Sequence, residues 1–403
     1  MTDFGRSLCT DLDTATGREW LVANGRGGYA MGTVSGIRTR CYHGLLVAAL
    51  DPPLGRTLLV AQTDETVRIN DTEVSLATHR WADGTVAPRG WIHLDRFHRE
   101  GPVPVWTYAA GDALLEKRVW MEHGEATTYV RYTLTRAQAP VPLTAKVLTT
   151  YRDHHATTQA NGWSMDVSPG EEGVRVTAFD GAVPVYLRSA GADAQPRHAW
   201  YRDFHLSTET DRGLTDQEDS LCAARFSATL QPGASVTLVF STDPEASLDG
   251  ADALDRVQRR DERLLTQAGL EDAPADIRDL ARAADTFIVN RSTDDVPDGR
   301  SVIAGYPWFG DWGRDTMIAL PGLTLPTGRA DVATTILRTY GQYVDRGMIP
   351  NRFPDRGDAP EYNTVDATLW YVEALRATVE ATGDLDVLRD LWPVLREMVD
   401  WQE

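Results

Sequence analysis

The 403-residue chain is longer than one ordinary hydrophobic core supports, so length alone predicts two or three domains. Hydrophobic residues make up 42% and charged residues 25%, and no apolar run approaches the roughly 18 residues needed to cross a bilayer, which sets aside a membrane-spanning helix. Lys and Arg number 40 against 59 Asp and Glu, and the resulting net charge of −19 repels nucleic acid and anionic lipid while leaving a neutral ligand unaffected.

The first residues, Met1-Thr2-Asp3-Phe4-Gly5-Arg6-Ser7, lack a basic start followed by an apolar stretch, so no signal peptide is expected and the cytoplasm is the default location. Cys9, Cys41 and Cys222 are scattered and form no C-x-x-C pair. They are read as reduced, buried thiols, with neither a disulfide framework nor a metal site.

From Glu19 to about residue 245 the sequence is written in strand-length pieces. Glu19–Val22, Leu45–Leu50, Arg56–Ala61, Thr127–Leu134, Val141–Leu148 and Ser235–Ser241 are short and rich in apolar, β-branched or aromatic residues. Asn70-Asp71, Gly101-Pro102, Pro169-Gly170 and Pro232-Gly233 punctuate the stretch as turns. A two-sheet antiparallel domain over 1–245 is expected. The period then changes. Ala251–Gly269 carries Leu254, Val257, Leu264 and Leu265 among many charges, which predicts an exposed amphipathic helix serving as a linker over 246–275.

An all-helical domain is expected over 276–403, with helices predicted from Ile277 to Val289, Thr316 to Leu323, Ala330 to Val344, Val365 to Thr382 and Leu385 to Trp401. Gly328, Gly347 and Gly383 fall where helix C-caps belong. The last segment reaches Trp401-Gln402-Glu403 without a capping signal, which leads to the expectation of a truncated domain.

Asn24-Gly25-Arg26-Gly27-Gly28-Tyr29-Ala30 contains the dinucleotide pattern G-x-G-x-x-A after a strand, but that site needs a helix to open behind the glycines. The adjoining residues Met31-Gly32-Thr33-Val34-Ser35-Gly36 are glycine-broken and β-branched, so the glycines are read as positive-φ turns between strands.

The densest segment, Ala304 to Thr316, combines Tyr306, Trp308, Phe309 and Trp312 with Asp311, Arg314 and Asp315. Aromatic faces pack on the C–H faces of a pyranose while Asp and Arg bind its hydroxyls, so the composition suits a sugar site. Core aromatics, with Asp315 capping a helix that begins at Thr316, are the alternative. Met348 to Phe353, with Asn351, and Glu361 to Asp366, with Tyr362, lie together in the connection between two predicted helices, where ligand-binding residues gather on a rigid scaffold. Asp366 is also placed to be an ordinary acid of a helix first turn. Asp311 and Asp315 are too close in sequence to be the two carboxylates of an inverting glycosidase, which stand roughly 6.5–9.5 Å apart across the sugar.

Trp20 to Tyr29, Gly32-Thr33, Thr39-Arg40 and Tyr42-His43-Gly44-Leu45-Leu46-Val47 resemble the opening of bacterial and archaeal glycogen-debranching enzymes of the amylo-α-1,6-glucosidase type. Tyr151-Arg152-Asp153-His154-His155 is similar to a later landmark of the same domain. Tyr306 to Thr316, Gly347 to Asn351 and Tyr362 to Thr368 resemble the start of its catalytic domain. The resemblance implies a multidomain β + α protein: a β super-sandwich, a linker helix, and the first helices of an (α/α)6 toroid, left incomplete. It implies inverting hydrolysis of α-1,6-linked glucose at branch points of glycogen or limit dextrin. Tyr306, Trp308, Asp311, Trp312, Arg314, Asp315, Asn351, Tyr362 and Asp366 are the implied substrate-binding residues, with Trp312, Asp315 and Asp366 expected to line one concave pocket at one end of the helices.

The family's general acid lies in a W-M-D motif and its general base further on. This sequence has no W-M-D, so neither role is assigned, Asp315 being the fallback for the acid. No cofactor is implied, and α-glucan is the implied partner. Another glucoamylase-like α-glucosidase, or a fragment that binds glucan without turnover, are the alternative readings.

Overall fold

The computed structural model describes residues 2–353 and 359–401. Contacts divide the chain into two compact units. The first comprises Met1–Asn24, Gly28–Ala48 and Thr57–Gln258, the second Gly25–Gly27, Ala49–Arg56 and Arg259–Glu403.

Unit 1 is an antiparallel sandwich. Among the described residues one sheet has nine strands, running in space from Asp3–Gly5 through Leu94–Glu100, Val103–Ala110, Ala113–Met121, Thr127–Arg136, Ser235–Ser241, Val185–Arg188 and Gly173–Thr177 to Asp166–Gly170. The other runs in the order Asp193–His205, Gln217–Leu230, Val141–Asp153, Leu54–Ile69, Gly44–Asp51, Tyr29–Thr33, Glu19–Ala23. Alternation along Thr127–Arg136 sends Tyr132 and Leu134 inward, both at most 1% exposed. Trp20 of one sheet meets Trp106 of the other edge-on at 5.1 Å.

The 16-residue Leu54–Ile69 strand runs well past the expected Arg56–Ala61, through Gln62-Thr63-Asp64-Glu65. That polar run is buried because each member finds partners there. Glu65 accepts from Lys117 Nζ at 2.7 Å and from the Tyr132 hydroxyl at 2.6 Å. Gln62 accepts from Arg38 Nε at 3.0 Å, and Asp64 pairs with His79 at 3.0 Å. Arg38 and Arg152 both donate to Glu218, which is fully buried. Buried charges persist in low dielectric only when paired and hydrogen-bonded in this way.

The sequence after Gly27 is a strand, Tyr29–Thr33, and no helix opens there. Gly25 and Gly27 have φ of 70° and 88°. A Cβ on Gly27 would lie 2.3 Å from the Pro53 carbonyl oxygen, so this glycine permits close backbone approach within unit 2 and has no phosphate-binding geometry.

The Gly250–Gln267 helix, expected as an exposed amphipathic linker, buries one face. Ala253 and Leu254 are buried with Val105, Trp120 and Tyr129 of unit 1, and Arg256 grips Glu122 through two nitrogens. Beyond Arg259 the same helix belongs to unit 2, where Arg260 donates to Asp285 and Asp261 accepts from Arg282. Its apolar stripe is narrow, yet Leu264 and Leu265 are 7% and 6% exposed, so the stripe is packed.

The rest of unit 2 is helical: Ala275–Thr286, Gly313–Thr324, Ala330–Gly341, Asp366–Thr382 and Asp386–Asp400. Helical spacing puts Ala333, Ile336, Leu337 and Tyr340 on one stripe and Ala367, Tyr371, Ala374 and Leu375 on another, and these meet Met317, Leu320 and Leu391 in one core. Gly383 ends the Asp366–Thr382 helix in the left-handed region at φ 67°, its N–H returning to the Val379 carbonyl. Ile318, Leu369, Trp370, Trp392 and Val399 are exposed large apolar side chains of these helices. Gln402 and Glu403, into which the last helix was expected to run, lie outside the described residues. Among the described residues no helix is long and apolar enough to cross a membrane.

Candidate functional site

The Trp312-Gly313-Arg314-Asp315 segment is positioned by backbone. Trp312 bridges to Arg352, and Arg352 bridges to Glu361. The Gly313 N–H donates to the Asn351 carbonyl at 2.9 Å, and the Asn351 N–H to the Glu361 carbonyl at 2.8 Å. A Cβ on Gly313 would stand 1.9 Å from the Pro350 oxygen, so only glycine lets the segment lie this close to the 349–353 connection. The helix begins at Gly313, with Trp312 as its N-cap residue. Asp315 is therefore inside the first turn. The capping role for a helix starting at Thr316 does not apply, since the helix starts earlier.

Three sequence-distant pieces meet on this surface. Arg314 Nη1 lies 3.7 Å from Asp366 Oδ2, both side chains about half exposed at 45% and 50%. Asp366 opens the Asp366–Thr382 helix and also accepts from the Thr364 hydroxyl. The Arg352 guanidinium sits over the Trp312 ring at 5.8 Å and is 3.8 Å from Glu361, and Phe309 meets Trp312 edge-on at 5.9 Å. Asn351 is buried and donates its side-chain N–H to Asn363 Oδ1 at 2.8 Å, tying the two ends of the connection together. Tyr362 donates its hydroxyl to the Tyr343 carbonyl at 2.6 Å, which fixes the ring and leaves its face as the contact it can offer.

The electrostatics favour a polar, neutral guest. An exposed pair such as Arg314–Asp366 is worth about 0–1 kcal/mol, so its groups turn to a ligand at little cost. Asp315 is exposed, and among the described residues its carboxylate has no hydrogen bond or ion pair. It is stabilised in the first turn by the partial positive charge of the helix N-terminus. Exposed aromatic faces are at hand in Trp308 and Phe309, 36% and 48% exposed.

Two of the expected residues stand apart. Asp311 is fully buried, with both oxygens taken by Arg291, Nη2 donating at 2.8 Å. Arg291 in turn lies 3.9 Å over the Phe353 ring; burial alone would lower its pKa, but the Asp311 carboxylate outweighs that cost and holds the guanidinium above its ordinary value. Asp311 supports the segment from beneath and presents nothing to a ligand. Tyr306 is largely enclosed and packs near Phe287 at 6.2 Å, and burial pushes its hydroxyl pKa up. Phe309, Arg352 and Glu361 join the surface although sequence reasoning did not single them out as ligand-binding. Their signal was membership of the same aromatic and connection clusters.

The chain matches the family model described as "Glycogen debranching enzyme N terminal" over residues 18–237 and that described as "Amylo-alpha-1,6-glucosidase" over 282–402. A glycogen debranching enzyme of Saccharomyces cerevisiae is 36% identical over 89 residues, which is 21% of this chain and 6% of the yeast protein. Among solved structures, a bacterial glucoamylase complexed with acarbose is 11% identical, with a TM-score of 0.43 over 96% of this chain and 56% of that one. A polysaccharide lyase is 10% identical, with a TM-score of 0.23 over 95% of this chain and 69% of that one. The chain thus spans about half the length of that glucoamylase and aligns with a small part of the yeast enzyme.

Proposed function

From the premise that this chain belongs to the glycogen debranching enzyme family, we propose that its helical unit grips the terminal glucose of an α-1,6 branch in glycogen or limit dextrin for hydrolysis, in the cytoplasm. The observation that carries the reading is the meeting of Arg314 with Asp366, 52 positions apart, beside the Trp312 ring and Asp315, which has no ion pair among the described residues. Asp315 and Asp366 accept from glucose hydroxyls, Arg314 donates to them, and Trp312 and Tyr362 bound the apolar faces of the ring. Trp308 reaches the same sugar, and Asn351 and Asp311 hold the frame. The reaction proposed is inverting, with an acid of raised pKa and a base flanking the bond, and neither role is given to Asp315 or Asp366.

Calorimetric titration with an α-1,6-glucosyl maltooligosaccharide and with its linear α-1,4 isomer tests this reading. Tighter binding of the branched ligand, lost in Trp312→Ala, is expected. Equal binding of both favours a general α-glucosidase, and no binding of either overturns the proposal.

A further inference from the structure

Unit 1 carries two pairs of aromatic rings, linked by a hydrogen bond from Trp163 to the backbone beside Phe179, well away in sequence from the segment proposed to bind glucose. Trp200 lies on the Asp193–His205 edge strand, and Trp163 on the connection before Asp166–Gly170. Their rings are 6.1 Å apart and inclined by 37°. Trp200 donates its indole N–H to the Trp163 carbonyl at 3.2 Å, and Trp163 donates its own to the Ala178 carbonyl at 3.1 Å. The next residue, Phe179, is 54% exposed and meets Tyr151 edge-on at 5.1 Å. Tyr151 accepts from the Val183 N–H at 3.3 Å. Backbone bonds therefore consume the polar handles of Trp163 and Trp200 and fix both rings, so what they present is apolar ring surface. Ser164 and His198, 3.5 Å apart and exposed, place polar hydrogen-bonding groups at the rim.

We infer that this patch is a second α-glucan-binding surface, on which an outer chain of the polymer lies while a branch end is held elsewhere. The inference rests on the proposed function for the substrate class. Pre-fixed rings lose little entropy on binding, and ring faces beside hydroxyl-binding groups are the chemistry that recognises pyranose. The net charge of −19 disfavours an anionic partner and is indifferent to a neutral polymer. A second copy of the chain is a poorer occupant, because a stable dimer needs about 800 Å² from each partner and four partly covered rings fall short.

The test is affinity electrophoresis through gels containing glycogen, run beside calorimetry with isomaltose as a small probe. Phe179→Ala removes an exposed ring and is expected to leave the melting temperature and isomaltose affinity unchanged, while glycogen retention falls about 2- to 10-fold. Trp200→Ala is expected to do more, and Trp200→Phe, which keeps a ring, less. Asp315→Asn is expected to lose isomaltose yet keep most of its glycogen retention. The inference is overturned if folded Phe179→Ala and Trp200→Ala migrate as the parent does, if Asp315→Asn alone abolishes retention, or if light scattering shows these variants changing only self-association. If instead Asp315→Asn binds isomaltose normally while the Phe179 effect holds, the reading of the helical unit falls and this surface stands.

Discussion

Replacing Asp315 by Asn separates a sugar-binding role from a structural one. Asp315 sits at the third residue of the Gly313–Thr324 helix, exposed and unpaired among the described residues, so the change removes one charge and keeps the shape. Its favourable interaction with the helix N-terminus is worth about 0.3–1 kcal/mol, so melting should fall by roughly 1–4 °C at most. A charge-assisted hydrogen bond from a glucose hydroxyl is worth about 1.5–3 kcal/mol, and its loss weakens binding roughly 10- to 150-fold. Titration of parent and variant with an α-1,6-glucosyl maltooligosaccharide, each checked by circular dichroism, reads both effects. A variant that melts slightly lower but binds within 2-fold of the parent would refute the reasoning, since only the helix-end interaction would then be present.

Asp311→Ala should behave in the opposite way. It leaves Arg291 buried without its partner, at a cost of about 3–5 kcal/mol seen in urea unfolding of the helical unit, and a loss below about 1 kcal/mol would contradict the support role. In the sandwich, burial raises the Glu19 pKa, but bonds from His43 and Arg40 outweigh it and bring the carboxyl down to about 2. His43 is itself buried, with its imidazolium disfavoured, so Arg40 supplies the opposing charge at neutral pH. A depressed carboxyl stabilises above its unfolded value of 4.5, and that contribution is lost as pH falls toward about 2. Glu19→Gln should flatten this part of the acid unfolding curve, and an unchanged curve would count against the pairing. Burial also raises the Cys9, Cys41 and Cys222 thiols to about 11, 12 and 11. Ellman's reagent should find almost none of them in the native protein at neutral pH and all three after denaturation, and rapid native labelling would contradict their burial.

Much of the architecture was legible because local signals and packing agree. The Asn70-Asp71 turn has φ of 48° and 62°, Gly101 and Gly233 have φ of 59° and 85°, and the chain turns at each. The helix expected over Val365 to Thr382 runs Asp366–Thr382 because its apolar period and Gly383 coincide. Gln62-Thr63-Asp64-Glu65 hid the second half of a long strand, since a buried polar run looks like a turn unless Lys117, Tyr132, Arg38 and His79 are known to surround it. The same limit applies to Asp311. Its partner Arg291 is 20 positions back, and nothing local distinguishes a buried bidentate pair from a carboxylate awaiting a sugar. The Arg314–Asp366 meeting was suggested by motif clusters, whereas the contact itself depends on the strap through Asn351 and Glu361.

The central claim is that the Trp312–Asp315 segment and Asp366 hold a terminal glucose. A crystal structure of the protein soaked with an α-1,6-glucosyl maltooligosaccharide tests it most directly. The account predicts glucose hydroxyls about 2.7–3.2 Å from Asp315 and Arg314, the ring against Trp312, and the Arg314–Asp366 pair opened or shared with the sugar. A saccharide bound elsewhere in the helical unit, with Asp315 still facing water, would contradict it.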